Sequence, residues 1–81
     1  MFYGITVRMY WKDHHPPHFH VSHGEYRAVV DIRTLEWLHG QLPTRALALV
    51  LEWSVQHRAE LLENWDLCAN GLAPRKIPPL A

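Results

Sequence analysis

The sequence contains a single cysteine, Cys68, which excludes an internal disulfide framework. A lone thiol is typical of a reducing compartment, and we therefore expect a cytoplasmic protein. The opening residues MFYGITVRMYW lack a basic segment, a long apolar run and a small-residue cleavage site, so we expect neither a signal peptide nor a membrane span.

The sequence also contains few glycines and has no net charge. The four glycines lie far apart, which excludes a phosphate-binding glycine loop and a dinucleotide fingerprint, and no serine-nucleophile motif is present. Eight basic and eight acidic side chains cancel, so no overall field attracts nucleic acid or a membrane surface. The basic residues are nevertheless unevenly distributed, because Arg8, Lys12, Arg27 and Arg33 all lie in the first half.

The sequence does contain enough apolar material for one small globular domain. Of its 81 residues, 48% are hydrophobic and four are tryptophan. A chain of this length buries only about 60% of its unfolded surface, so a binding partner would add substantially to its stability. We expect the globular domain to span residues 1–71, and a proline-rich tail, residues 72–81, to be either mobile or a partner-docking peptide.

The first half has the period-2 pattern of strands. Alternation over residues 5–12 predicts a first strand with Ile5, Val7, Met9 and Trp11 on its apolar side. Next, Pro16 and Pro17 interrupt regular pairing and allow a cis bond at either position.

Residues 18–32 then predict a hairpin that turns at His23-Gly24 and places Ser22 opposite Glu25. In this register one face is apolar and the other is polar, which is typical of a sheet with one side open to solvent. The predicted apolar face holds Phe19, Val21, Tyr26, Ala28, Val30 and Ile32. The predicted polar face holds His18, His20, Ser22, Glu25, Arg27 and Asp31, interrupted by Val29.

The remaining chain predicts a short strand over Leu35–Leu38 that turns out at His39-Gly40, followed by helix from Pro43 or Thr44 to Gly71. Ser54 and Arg58 interrupt the apolar stripe, so this is either one long helix or two helices with a kink near His57. The predicted fold class is α+β, a three- to four-stranded, mostly antiparallel sheet with one or two C-terminal helices packed on one face.

Five of the seven histidines lie in the segment DHHPPHFHVSHG, residues 13–24. If the strands pair in order, two of these histidines share the polar sheet face with basic and aromatic side chains of the first strand and the hairpin. We expect this face to bind a partner protein or nucleic acid. Its predicted binding residues are Arg8, Tyr10, Lys12, His18, His20 and Arg27.

Three interpretations of the histidines remain open. In the first, His18 and His20 bind a divalent metal such as zinc, with Asp13 and His14 as further ligands. Against this, the spacing matches no specific metal signature, and the nearby Arg27 would repel a dication.

In the second interpretation the site performs metal-independent phosphodiester chemistry, as in some ribonucleases, with His18, His20 and Arg27 as the catalytic candidates. The zero net charge counts against nucleic-acid binding.

In the third, the histidines are structural, and Arg27 pairs with Glu25 or Asp31 across the sheet. Trp37 and Trp53 have a similar pair of interpretations, since each is either core or part of a homodimer or partner interface.

Long stretches of the chain resemble a known family. The segments GITVRMYWKDHHPPHFHVSHGEYRAVVDI, LPTRALALVLEW and HRAELLENWDLCANG resemble the small prokaryotic proteins of domain of unknown function 4160, and the D-H-x-P-P-H-F-H-V segment is the most specific part. The positions that match the family pattern are Asp13, His14, Pro16, Pro17, His18, His20, Gly24, Glu25, Trp65, Asn70 and Gly71.

The family has no established activity, but the resemblance implies a setting. Members are often encoded beside a small protein of domain of unknown function 2442, an arrangement that resembles a toxin–antitoxin operon. We therefore expect a small cytosolic interaction protein of a toxin–antitoxin-like two-gene module, which binds the neighbouring protein and, as a second candidate, RNA or DNA. The alternatives are an enzyme, either ribonuclease-like or a metal-dependent hydrolase that uses His18 and His20, and a purely structural subunit.

Overall fold

A computed structural model describes residues 2–80, which form four strands followed by two helices. All strands pair antiparallel in the order β1-β2-β3-β4, and the two helices follow them in sequence, so the α+β prediction is confirmed. The elements are β1 (Ile5–Arg8), β2 (His18–His23), β3 (Tyr26–Asp31), β4 (Trp37–Gln41), α1 (Thr44–Gln56) and α2 (Arg58–Ala69).

β1 is shorter than the alternation predicts. Its pairing with β2 ends at Arg8 and His20, and the same register would place Trp11 opposite Pro17, which has no N–H to donate to a ladder. The chain therefore leaves the sheet after Arg8. The prediction that Trp11 faces the core is wrong, since its side chain is 63% exposed.

The β2–β3 hairpin is offset by two residues from the predicted register. The last pair is His23 with Tyr26 rather than Ser22 with Glu25, and Gly24 and Glu25 form the two-residue loop. Gly24 has a φ of +59°, the left-handed value that such tight turns require. An offset of two residues changes every cross-strand partner but leaves each side chain on the same face of the sheet. The residues predicted for the apolar face are therefore buried, apart from Tyr26.

Two residues of the predicted polar face, His18 and Asp31, are buried. They pair across β2 and β3 at the end of the sheet. Asp31 Oδ1 accepts hydrogen bonds from the backbone N–H groups of Arg33 and Thr34, at 2.8 and 3.1 Å, and thereby stabilises the turn that follows β3. The prediction that both residues lie on an open face is therefore wrong.

β4 begins later and extends further than predicted. His39 and Gly40 lie inside this strand instead of turning the chain out of it. Gly40 pairs with Ala28 at a φ of +81°, and a Cβ there would collide with the carbonyl oxygen of Arg27. This glycine allows a close backbone approach within the sheet rather than a turn.

The helical segment is broken at His57, so the two-helix alternative is confirmed. Ser54 is fully buried and its Oγ donates a 2.6 Å hydrogen bond to the carbonyl of Val50, one turn earlier. Serine bonds of this kind bend helices and weaken their continuation. Neither helix within residues 2–80 is long and apolar enough to cross a membrane.

The core lies between the apolar face of the sheet and the two helices. Trp53 is a core residue, 3% exposed, whereas Trp37 on β4 is 48% exposed. The core residues are Phe2, Ile5, Phe19, Val21, Ala28, Val30, Ile32, Leu42, Ala46, Val50, Trp53, Leu61 and Trp65.

The tail has no helix or strand over residues 72–80, but it packs against its own domain. The side-chain amide of buried Asn64 accepts a hydrogen bond from the Arg75 N–H and donates one to the Arg75 carbonyl, both at 2.8 Å. Trp53 Nε1 donates to the carbonyl of Pro78 at 2.8 Å, and Ile77 contacts the core. The described tail is therefore a part of the fold, held chiefly by side chains of the helices.

Candidate functional site

The centre of the histidine-rich segment is Asp13, in the loop that joins β1 to β2. Its Oδ1 accepts a hydrogen bond from the backbone N–H of His14 at 2.9 Å and lies 2.8 Å from Nδ1 of the same histidine. Its Oδ2 lies 3.0 Å from Nε2 of His18 and 3.3 Å from Nε2 of His20. One carboxylate therefore contacts three of the five clustered histidines.

These contacts determine the ionisation of Asp13. Partial burial opposes the charged form and raises the pKa of Asp13, but hydrogen bonds from His14 and His20 and the electrostatic interaction with His18 together outweigh it. The pKa of Asp13 consequently lies well below its ordinary value. The carboxylate therefore stays negatively charged at acidic pH values at which an ordinary aspartate is protonated.

His18 is buried and contacts both the β1–β2 loop and α2. Its Nδ1 lies 2.7 Å from the carbonyl oxygen of Pro16, and its ring packs against Trp65 of α2 at a centroid distance of 5.1 Å. Only 6% of its side chain is exposed. The β1–β2 loop, in which the His15–Pro16 bond is cis, thus covers His18 together with α2, an arrangement that the hairpin pattern alone does not indicate.

His20, two residues along β2, remains accessible. A third of its side chain is exposed, and its ring packs edge-on against Tyr10 at 4.6 Å. His20 is the link between two features. On one side it completes the Asp13 cluster, which we define as Asp13, His18 and His20, and on the other it lines a pocket on the sheet face.

This second feature is a small cavity of about 160 Å³ on the face opposite the helices. Arg8 lies opposite His20 in the β1–β2 register, and Arg27 lies opposite Ser22 in the β2–β3 register, so the sheet itself brings the two arginines to one place. Its polar lining, which we call the arginine pocket, consists of Arg8, Tyr10, His20, Ser22 and Arg27.

The two arginines carry positive charge without a carboxylate partner. Among residues 2–80 neither Arg8 nor Arg27 forms an ion pair. Arg27 instead donates to the backbone carbonyls of Gly24 and Tyr26, both at 3.3 Å. The interpretation in which Arg27 pairs with Glu25 or Asp31 is therefore wrong, and the pocket is suited to an anionic group from outside the chain.

The structure brings some of the predicted binding residues together and separates others. Arg8, Tyr10, His20 and Arg27 line the arginine pocket as one group. Lys12 does not join them, because the loop turns away after β1 and the Lys12 N–H donates to the carbonyl of Cys68 at 3.1 Å.

The candidate metal ligands are divided in the same way. The ligand atoms of Asp13, His18 and His20 lie within 4.8 Å of one another. His14 is bound to the other oxygen of Asp13, and its side chain is 88% exposed.

One residue of the pocket is absent from the predicted site, and two of the clustered histidines lie outside it. Ser22 lines the arginine pocket but is not among the predicted binding residues, although residues two apart in a strand, such as His20 and Ser22, share a face. His15 packs against Trp65 at 5.7 Å, and His23 Nδ1 contacts the Gly4 carbonyl at 3.1 Å. These two histidines have structural contacts outside both the cluster and the pocket.

A larger cavity, of about 560 Å³, lies between β1, the helices and the tail. Phe2, Met9, Trp53 and Ile77 give it a largely apolar lining, and Arg8 is the one predicted site residue that borders it. Arg75 and Lys76 of the tail also border it, but its lining residues include no histidine and no carboxylate.

The model of a family described as domain of unknown function (DUF4160) matches residues 4–66. The chain belongs to this family. The match includes the whole sheet, the loop with Asp13 and most of both helices, so the Asp13 cluster and the arginine pocket lie inside the DUF4160 region. Of the positions that resemble the family pattern, Asn70 and Gly71 lie beyond the matched residues. Comparison with curated proteins and with solved structures gives no match.

Proposed function

We propose that this DUF4160 protein is an interaction module that binds a small partner protein through the arginine pocket. The observation that carries this proposal is the pair of arginines, Arg8 and Arg27, that face an open cavity without a carboxylate partner within residues 2–80. A guanidinium group binds a carboxylate through two parallel hydrogen bonds. An aspartate or glutamate side chain of the partner fits this pocket.

The surroundings of the pocket support a protein partner. Tyr10 is 50% exposed beside the arginines, and tyrosine and arginine are among the residue types that are enriched at the energetic hot spots of protein interfaces. The zero net charge of the chain favours a local contact with an acidic side chain over long-range attraction to a polyanion.

The biological setting that we propose is a two-gene, toxin–antitoxin-like module in the cytoplasm. The family resemblance supports this setting, in which the partner is the neighbouring small protein of the domain of unknown function 2442 type. Buried, unpaired Cys68 is consistent with a reducing compartment.

Co-expression with the neighbouring protein tests the interaction. We expect the two proteins to co-purify, and we expect the double variant Arg8→Glu/Arg27→Glu to lower the affinity by at least about 30-fold, as for loss of interface hot spots. Arg33→Glu is the matched control, because Arg33 is exposed on the turn after β3 and outside the pocket. The proposal is contradicted if the wild-type protein does not co-purify with the neighbouring protein, or if the double variant and Arg33→Glu lose affinity equally.

A second candidate function, ribonuclease-like phosphodiester chemistry, is favoured by one observation. The imidazole of His20 contacts the Asp13 carboxylate at 3.3 Å and also lines the pocket with two arginines. A histidine oriented by a carboxylate can act as a general acid or base, while arginines bind the phosphate and stabilise developing charge.

Growth and cleavage assays separate the two candidates. An enzyme of this kind arrests growth when expressed alone and cleaves single-stranded RNA in vitro, and both effects disappear in His20→Ala. If expression does not arrest growth and the RNA stays intact, the ribonuclease-like function is contradicted and the proposal of an interaction module stands.

A further inference from the structure

The hydrogen bonding of His18 places a restriction on the atom that faces Asp13. The carbonyl oxygen of Pro16, 2.7 Å from Nδ1, can only accept a hydrogen bond, so Nδ1 carries the proton. A neutral imidazole then presents the lone pair of Nε2 to Asp13 Oδ2 at 3.0 Å, and two acceptors at this distance repel each other. The contact therefore requires a cation, either a second proton on the ring or a metal ion.

The Asp13 cluster has the dimensions that a metal ion needs. Ligands held by one zinc-like ion at bond lengths of about 2.0–2.2 Å are roughly 3.0–3.6 Å apart. Oδ2 of Asp13 lies at 3.0 Å from Nε2 of His18 and at 3.3 Å from Nε2 of His20, and all three atoms lie within 4.8 Å of one another. A first-row metal ion can thus contact all three with small adjustments of the side chains.

We propose that Asp13 Oδ2, His18 Nε2 and His20 Nε2 bind one divalent metal ion of the zinc class. Two imidazoles and one carboxylate are a common ligand set for such ions and leave at least one coordination position open. The bond from His18 Nδ1 to the Pro16 carbonyl and the bond from the His14 N–H to Asp13 Oδ1 are the outer contacts that orient metal ligands in proteins.

Arg8 and Arg27 border the same pocket as His20 and oppose a dication, but the negative charge of Asp13 lies directly beside the ligand nitrogens and offsets this repulsion. Arg27 faces Ser22, while His20 faces Val29, and the guanidinium is held by backbone carbonyls of the hairpin loop. The metal proposal does not depend on the proposed partner interaction, because its measurement needs the chain alone.

Metal binding is measured on the full chain without an affinity tag. After dialysis against a chelator, zinc is titrated by calorimetry, and the zinc retained after gel filtration is quantified by mass spectrometry. We expect one equivalent of zinc, and we expect cobalt in its place to give the visible spectrum of a four- or five-coordinate ion. Asp13→Asn and His20→Ala each lower zinc affinity by at least about tenfold.

Controls separate this site from general histidine affinity. His39→Ala, on exposed β4, and His15→Ala, outside the cluster, retain wild-type zinc binding. Circular dichroism verifies folding, and if Asp13→Asn fails to fold, His20→Ala decides the result. Wild-type protein without bound zinc overturns the proposal, as does an equal loss in the control variants, and either result leaves the partner-binding experiment unaffected.

Discussion

At the scale of single residues, the position of Asp13 Oδ2 follows from the way Oδ1 is held. The His14 N–H binds Oδ1, so the carboxylate cannot rotate without losing that bond, and Oδ2 remains directed at His18 and His20. The lowered pKa keeps the group ionised at acidic pH values at which an ordinary aspartate is protonated. Either a metal ion or a protonated imidazole requires this charged form.

Gly40 is expected to be the most sensitive glycine in the sheet. Its backbone has a φ of +81°, and an added Cβ would meet the carbonyl of Arg27. We expect Gly40→Ala to lower the free energy of unfolding by at least about 2 kcal/mol, measured by urea denaturation. Gly24→Ala is the control, because Gly24 shares the positive φ but has open space around it, and its loss should be about 1 kcal/mol.

Burial raises the pKa of the Cys68 thiol. The folded state therefore keeps this thiol protonated at a pH where the unfolded chain ionises it, above about 8.5. Below that pH both the folded and the unfolded state hold the proton, so the ionisation of Cys68 does not lower the free energy of unfolding. As the pH rises from there to the folded-state pKa, only the unfolded chain loses the proton, and the free energy of unfolding falls. We expect the difference in unfolding free energy between wild type and Cys68→Ala to shrink between about pH 7.5 and pH 9.5. A constant difference contradicts this expectation.

At the scale of elements, α2 holds the tail through one buried side chain. Asn64→Ala removes both hydrogen bonds to the Arg75 backbone. We expect a loss of about 1–3 kcal/mol of unfolding free energy and faster proteolysis of residues after 72.

Glu63→Gln is the matched control for this change. Glu63 pairs with the same tail residue, Arg75, at 3.2 Å, but both side chains are more than half exposed. Exposed ion pairs contribute little, so the change should cost less than about 1 kcal/mol. Equal effects of the two substitutions would show that Asn64 is not the anchor.

At the scale of the whole molecule, one small core supports both the pocket and the cluster. A domain of 81 residues has an unfolding free energy of roughly 4–12 kcal/mol. Phe19 is fully buried between His18 and His20, and Phe19→Ala is expected to cost about 3–5 kcal/mol. We therefore expect this variant to unfold at a clearly lower urea concentration than the wild type, measured by circular dichroism, while Val55→Ala, at a side chain that is 64% exposed, keeps a midpoint close to that of the wild type.

The sequence could predict those features that depend on local periodicity. The alternation around Phe19 and Val21 identified the strand and its buried face, and the interruption at Ser54 indicated the helix break. It could not predict the burial of His18, because α2, more than 40 residues away, supplies the covering Trp65. Nor could it place the hairpin register, since registers two residues apart bury the same face.

By itself the sequence determined the fold class and the choice of residues from which a site could be built, because strand and helix periods and the chemistry of histidine and arginine are local properties. Only the tertiary structure decided how these residues are grouped. Asp13 reaches His18 and His20 because the proline-containing loop folds back over the end of the sheet. Arg8 and Arg27 share a pocket because β2 lies between their strands, and such distances depend on pairing between segments far apart in the chain.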